Sequence, residues 1–214
     1  MDVVEISKRY ESNPFLRILV NAIPYAGGSI DVLLSAKWSE FHSKRVEDFI
    51  TKTQTEMAEL QETSVRKDLL ESPEFYDLVY RIAQDVISSR FDQTRTGYAR
   101  VIKSAVTGDE SIISLEELVQ QISDLGEMDI QFIIAIKKLI QSGQIITGET
   151  MSIELAKYGY SVMDCERHLY RFGTHGLLDY QRNSLFRRGT MPFDVLPFFH
   201  KLVSYLGIDS LVSR

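Results

Sequence analysis

The sequence has a single cysteine, Cys165, and no uninterrupted run of 18 apolar residues. One thiol cannot form an intramolecular disulfide, so the composition favours a reducing compartment. The absence of a long apolar run argues against a membrane-spanning helix. Asp2 and Glu5 stand where a secretory signal would carry basic residues ahead of an apolar core. We therefore expect a cytoplasmic protein.

Positive charge is also in short supply. The chain has 24 Lys and Arg against 30 Asp and Glu, which gives a net charge of −6. A nonspecific nucleic-acid binder is usually basic overall. The exception is residues 161–214, where seven Lys and Arg outnumber five Asp and Glu. Only this last part of the chain could offer a basic surface to a nucleic acid.

The N-terminal half is dominated by helical periodicity. Residues 29–62 contain no proline or glycine, and their apolar residues recur every three to five positions, which predicts a long amphipathic helix. Ser72 and Pro73 are typical of an N-cap followed by a first helical residue. The helical pattern then continues over 73–106, with Gly97 as the place for a kink. The simplest architecture is a long antiparallel helical hairpin, which we assign to a first domain.

The C-terminal half follows the order of a helix-turn-helix with a wing. Ser114 and Glu117 have the spacing of a capping box, and Ser161 and Asp164 repeat it. The sequence places helices at 115–124, 128–141, 151–157 and 162–172, two strands of a wing at 177–181 and 185–186, and a final helix at 193–207. Three successive short helices with a glycine turn are typical of a helix-turn-helix.

The predicted fold is therefore mainly α. A long antiparallel helical hairpin, residues 1–110, is followed by a C-terminal helix-turn-helix or winged-helix-like domain, residues 111–214. In such domains the last helix of the motif can enter a DNA major groove while the wing contacts phosphates. The candidate nucleic-acid-binding residues are Arg167, Arg171, Arg182, Arg187 and Arg188. Asp164, Glu166 and Asp179 dilute this basic patch, so a solvated polar face remains the alternative interpretation.

Cys165 and His168 are three residues apart and would share one face of a helix. A thiolate beside a histidine can act as a nucleophile, and His175 could join the pair around zinc. Structural zinc normally takes four ligands at closely paired spacings, which this sequence lacks, and a lone cysteine in a helix is more often a small buried apolar residue. We predict no catalytic residue, no metal site and no cofactor.

Two stretches of the N-terminal half carry a resemblance. Residues 13–16 read NPFL and residues 23–35 read IPYAGGSIDVLLS, followed by a charged helical region with FYDL at 75–78 and YARVI at 98–102. This pattern resembles poorly characterised prokaryotic helical-hairpin proteins with an IPxxGGxxDxLLS-like N-terminus, over about residues 13–106. The resemblance implies a bacterial source and a role associated with phage defence. It implies no catalytic residue.

The leading hypothesis is a non-enzymatic interaction or regulatory protein, with the hairpin mediating self-association or the binding of a protein partner. The second hypothesis is a sequence-specific DNA-binding regulator that uses the C-terminal domain. The third is a membrane-acting phage-defence effector that uses the apolar residues 14–34, although an interfacial helix usually has a basic polar face that this segment lacks. No small-molecule substrate is evident in the sequence.

Overall fold

The computed structural model describes residues 37–58, 60, 65–70, 72–179 and 192–209. The described chain is mainly α-helical, as predicted. Its helices are α1 Lys37–Met57, α2 Lys67–Leu70, α3 Pro73–Ser88, α4 Asp92–Thr107, α5 Ile112–Ser123, α6 Glu127–Gln141, α7 Gly148–Ala156, α8 Val162–Thr174 and α9 Pro197–Leu206. The chain divides into two compact units, Met1–Ser123 and Asp124–Arg214, which we call the first and second units. None of the described helices is long and apolar enough to cross a membrane.

The predicted long helix over 73–106 is two helices in the structure. Ser72 caps α3, with its Oγ accepting the Phe75 N–H at 3.2 Å, as the sequence indicated. The helix ends at Ser88, and Ser89 takes an extended backbone conformation before α4 begins. Gly97, the expected kink, is buried inside α4. Ser and Asp side chains around residues 88–92 compete for backbone hydrogen bonds, which explains why the helix breaks there rather than at the glycine.

Ion pairs give the register of α1 on α4. Arg45 donates to the carbonyl oxygen of Ile87 at 2.8 Å, near the end of α3. Further along α1, Lys52 pairs with Asp92 at 3.0 Å, and Glu56 accepts from Arg100 at 2.8 Å. From Arg45 at one end of α1 to Glu56 at the other, the contacts move from Ile87 to Arg100 and Lys103, so α1 and α4 run in the same direction. The predicted second arm of the hairpin is therefore two helices, and its second helix, α4, runs parallel to α1, whereas the prediction placed 29–62 and 73–106 antiparallel.

The core of the first unit lies between α3, α4 and α5. Each helix contributes fully buried apolar residues at helical spacing, including Val79, Ile82, Val101, Leu115 and Leu118. Helix α5 begins at Ile112, and Ser111 rather than Ser114 accepts a backbone N–H at its start. Because α5 packs on α3 and α4, the division between the units follows Ser123, whereas we had placed the domain boundary after residue 110.

The described residues of the second unit form α6 to α9 and two isolated antiparallel bridges. Thr147 pairs with Pro192, and Leu178 pairs with Val195. The bridges lie between α6 and α7 and after α8, and their backbone bonds include Phe193 N–H to Ile146 O at 3.0 Å. Buried aromatic rings close the core, with Phe132 and Phe172 packed edge to face at 5.0 Å between centroids.

The predicted final helix over 193–207 is shorter than expected. Residues 193–196 are extended, and α9 begins at Pro197. A residue before proline is pushed out of the α region, and proline suits the first helical position, which accounts for this start. The backbone partner of Leu178 is consequently Val195. The returning strand that we predicted at 185–186 lies outside the described residues.

Candidate functional site

Helix α8 is the most strongly amphipathic helix of the second unit. Its start is held by the predicted capping box: Ser161 Oγ accepts the Asp164 N–H, and Asp164 Oδ2 accepts the Ser161 N–H at 3.1 Å. These bonds satisfy two backbone donors that the first turn would otherwise leave open. They also lower the pKa of Asp164, mainly through the hydroxyl and backbone of Ser161. The helix buries Cys165, His168, Leu169 and Phe172.

A buried carboxylate, Asp129 on α6, holds the inner side of α8. Only 1% of its side chain is exposed, and its Oδ1 lies 2.8 Å from His168 Nδ1. Its Oδ2 accepts from Arg171 Nη1 at 2.8 Å and from the Gly126 N–H at 2.8 Å. A buried charge is tolerated when it is paired and hydrogen-bonded in this way. Asp129 therefore caps α6 and fixes the rotation of α8 at the same time.

We call Asp129 with its partners His168, Arg171 and Gly126 the Asp129 node. Within it Arg171 has a structural role. Its guanidinium donates to Asp129 Oδ2 and, through Nη2, to the carbonyl oxygen of Asp124 at 2.6 Å. The Arg171 guanidinium therefore has two acceptors within the second unit, while 36% of its side chain is exposed. The contact with Asp129 joins residues 42 positions apart, so no local sequence signal could have revealed it. Of the five predicted nucleic-acid-binding arginines, Arg171 is therefore a tie between α8 and the start of α6.

The structure describes one other predicted arginine, Arg167. Arg167 is 69% exposed and pairs with Asp164 at 2.7 Å. It lies on the opposite side of α8 from the buried residues. Arg182, Arg187 and Arg188 fall outside the described residues. Within the described part of the chain, the predicted set therefore supplies one solvent-facing guanidinium, and that one already has an anionic partner.

The Cys165 and His168 pair does not have the geometry of an activated nucleophile. Cys165 is fully buried, and its Sγ faces the carbonyl oxygen of Gly148 at 3.9 Å. Burial raises the pKa of the Cys165 thiol, an effect that a hydrogen bond with Ser152 partly opposes. The thiol is therefore neutral at pH 7, whereas nucleophilic cysteines need a lowered pKa. In the described ranges, no group of three or more His, Cys, Asp or Glu could hold a metal ion.

The solvent side of α8 carries the feature that sequence reasoning missed. We call its exposed residues Val162, Met163, Glu166, Arg167 and Tyr170 the outer face. Met163 is 81% exposed, Val162 61% and Tyr170 40%, and Ile153 on the neighbouring helix α7 is 60% exposed. The signal was present in the sequence, since the helix is apolar at positions 162, 163 and 170 as well as on its buried stripe. We had assigned those positions no role.

Comparisons with known proteins add no relative to this description. No protein-family model, curated protein or solved structure matches the chain. The resemblance to prokaryotic helical-hairpin proteins, with the bacterial source and phage-defence role that it implies, stays a prediction. The functional argument therefore rests on the chemistry of the second unit.

Proposed function

We propose that this chain is a non-enzymatic regulatory protein that binds another protein through a winged-helix-like second unit. The order of elements supports this arrangement. Helix α6 is followed by the bridging residue Thr147, then by α7 and α8, and then by the antiparallel bridge of Leu178 with Val195. In winged-helix domains the helix that corresponds to α8 is the one presented to the partner.

The observation that carries the proposal is the composition of the outer face. A helix that reads DNA normally presents arginine, lysine, asparagine or glutamine to base edges and phosphates. The outer face instead presents Val162, Met163 and Tyr170 beside the carboxylate of Glu166. Its single cation, Arg167, is paired with Asp164. Exposed apolar residues grouped in this way are typical of a protein interaction site.

A second candidate function, DNA binding through the wing, is favoured by a different observation. The Asp179 N–H donates to Asp194 O at 2.9 Å, and the Leu196 N–H donates to Leu177 O at 3.0 Å. The segment 180–191 therefore leaves and re-enters the described structure at neighbouring positions. It contains Arg182, Arg187 and Arg188 and no acidic residue. A basic segment attached at these positions can contact phosphates without help from α8.

Fluorescence anisotropy with mixed-sequence duplex DNA separates the two functions. The purified chain and the triple variant Arg182→Ala, Arg187→Ala, Arg188→Ala are titrated at about 50 and 200 mM salt, because phosphate contacts weaken steeply as salt rises. We expect no DNA binding by either protein at the lower salt. Binding that falls with salt and drops in the triple variant would replace the protein-binding proposal with the DNA-binding one.

A further inference from the structure

We infer that Met163 is the residue of the described chain that peroxide oxidises first, ahead of the cysteine, and that this oxidation makes the outer face more polar without unfolding the second unit. The oxidation site stands apart from the proposed function, whereas its effect on a protein partner rests on that function. The exposure of Met163 and the burial of Cys165 and Met151 support the inference.

Met163 is the most accessible methionine of the described residues. It lies in the first turn of α8 and is 81% exposed. Met57 and Met128 are partly buried, and Met151 on α7 is fully buried. A dissolved oxidant reacts with a thioether only where it can reach the sulfur, so the rate of oxidation should follow exposure. The structure therefore places Met163 first among these four residues.

The cysteine, which is ordinarily a better target for peroxide, is shielded from it. Cys165 follows Met163 by two residues but lies on the buried side of α8. Burial also raises the pKa of its thiol, so the thiol stays protonated at pH 7. Cysteine oxidation requires both the thiolate form and access by the oxidant. Cys165 has neither, so peroxide reaches the thioether of Met163 before it reaches the thiol.

The oxidation step needs hydrogen peroxide as its only co-reactant. A lone pair of the Met163 sulfur attacks one oxygen of the peroxide, so an S–O bond forms while the O–O bond breaks. The departing hydroxide takes the proton from the oxygen that is now bound to sulfur, which leaves a neutral sulfoxide and water. Sulfur loses the two electrons that reduce the peroxide. Methionine sulfoxide reductases convert the product back to methionine, so the change is reversible.

The position of Met163 determines what its sulfoxide does to the protein. Met163 is not among the buried residues of α8, so water can hydrate an oxygen atom added there and the second unit keeps its core. A sulfoxide at the buried Met151 would instead place a polar oxygen in the core, which is destabilising. Oxidation at Met163 therefore turns an apolar side chain of the outer face into a polar one. An apolar contact between that face and a protein partner would weaken as a result.

Peptide mapping by mass spectrometry tests the site in the full-length chain. The protein is treated with hydrogen peroxide at neutral pH, and the sulfoxide fraction at each methionine is followed over time. We expect Met163 to be oxidised at least about tenfold faster than Met151, and also faster than Met57 and Met128. Cys165 should still react with a thiol reagent after the treated chain is unfolded in urea. Faster oxidation at any of those three methionines, or loss of the thiol before half of Met163 is converted, overturns the inference.

Met163→Leu is the matched variant, because leucine keeps an apolar side chain of similar volume without the sulfur. Peroxide should shorten the retention of the wild type on a hydrophobic-interaction column, and methionine sulfoxide reductase should restore it. The variant should keep its retention, and the urea midpoint of the oxidised wild type should not change.

The outcomes separate this inference from the function proposed above. An equal change of retention in both proteins, or unfolding of the wild type at the dose that converts Met163, overturns the inference while a protein-binding function stands. Salt-sensitive DNA binding in the earlier assay overturns the protein-binding function, and the effect of oxidation on a partner with it, but not the oxidation site.

Discussion

The two units use polar side chains in opposite ways. In the first unit, three exposed or partly exposed acids on α1 and α4, Asp48, Glu56 and Asp92, meet cations in a row of ion pairs that share partners. In the second unit, one buried carboxylate, Asp129, receives three donors from two parts of the chain. Coulomb attraction is shared by both arrangements, but water competes for the acids of the row and is excluded from Asp129.

The two arrangements differ in how much each contributes to the stability of its unit. An exposed pair contributes roughly 0–1 kcal/mol, so the row tunes the register of α1 on α4 without determining whether the first unit folds. Removing one partner of a buried pair leaves an uncompensated polar group in the interior, which is far more costly. Asp129 therefore controls the orientation of α8, and through it the outer face. The predictions below test this contrast, from the largest effect to the smallest.

The largest effect is expected from Asp129→Ala. The substitution leaves the His168 ring, the Arg171 guanidinium and the Gly126 N–H without their acceptor, so we expect the second unit to lose roughly 3 kcal/mol of stability. Hydrogen exchange read by mass spectrometry should show faster exchange in α6 and α8, with the peptides of α3 and α4 unchanged. Asp194→Ala, which removes an exposed acid of the same unit, should cost no more than about 0.5 kcal/mol.

Gly108 in the first unit and Gly143 in the second each follow the end of a helix with a left-handed backbone conformation. Substituting each one by alanine compares the cost of a side chain at the two helix ends. Gly108 has φ +71° and Gly143 has φ +66°, values that favour glycine. A Cβ at Gly108 would lie 3.2 Å from Arg66 Cγ and 3.3 Å from Leu69 Cδ1, whereas a Cβ at Gly143 would meet nothing within 4 Å. We expect Gly108→Ala to cost roughly 2 kcal/mol and Gly143→Ala about 1 kcal/mol in urea unfolding. Equal costs would show that crowding by Arg66 and Leu69 adds nothing.

These helix ends are also the part of the fold that the sequence could predict. Glycine and capping residues act within a few positions of themselves, so Ser72, Gly108, Gly143 and the pair Ser161–Asp164 mark real boundaries. Such local signals explain why the mainly helical character and most helix bounds of residues 111–176 could be found without a structure.

Features that depend on contacts between distant residues could not be predicted in this way. The helix break after Ser88 lies in a polar stretch that also suits an exposed helical face, so periodicity alone favoured one long helix. The bond between Arg171 and Asp129 gives a predicted nucleic-acid-binding residue an internal partner that the sequence did not reveal. The sequence shows that Val162, Met163 and Tyr170 are apolar. Only the structure shows that the other side of α8 is the buried one, so that Met163 and Tyr170 remain at the surface.

Each unit also buries a group that ionises only at alkaline pH, which makes stability depend on pH in that range. Burial raises the pKa of Cys165 in the second unit and of Tyr98 in the first, above ordinary values of 9.0 and 10.0. Below these ordinary values both groups are neutral in the folded and unfolded chains, and the full stability is present. As the pH rises past them, the unfolded chain releases protons that the folded chain retains, so the free energy of unfolding falls.

Urea unfolding followed by circular dichroism, repeated from pH 8 to pH 11 in steps of about half a pH unit, would measure this decline. The slope of the free energy of unfolding against pH gives the number of protons released on unfolding. In Cys165→Ala the decrease in the free energy of unfolding that begins near pH 9 should disappear. The decrease that begins near pH 10, which comes from Tyr98, should remain. We expect the Cys165 contribution to be smaller than the cost of either glycine substitution, because the Ser152 hydrogen bond opposes the effect of burial. An unchanged pH profile in the variant would contradict the neutral buried thiol.

The smallest effect is expected in the row between α1 and α4, where a double-mutant cycle measures the coupling of one pair. Arg95 Nε donates to Asp48 Oδ2, and the side chains are 12% and 36% exposed, respectively. Lys52 also pairs with Asp48, and Asp92 also pairs with Arg95. From Asp48→Ala, Arg95→Ala and the double variant, we expect a coupling energy of about 0.5 kcal/mol that shrinks further in 1 M salt. The matching cycle of Asp129→Ala with Arg171→Ala should give a coupling at least about three times larger and less dependent on salt, because Asp129 is shielded from the solvent. If the two cycles gave equal couplings, burial would not be what distinguishes the node from the row, and the orientation of α8 would have to depend on its apolar contacts alone.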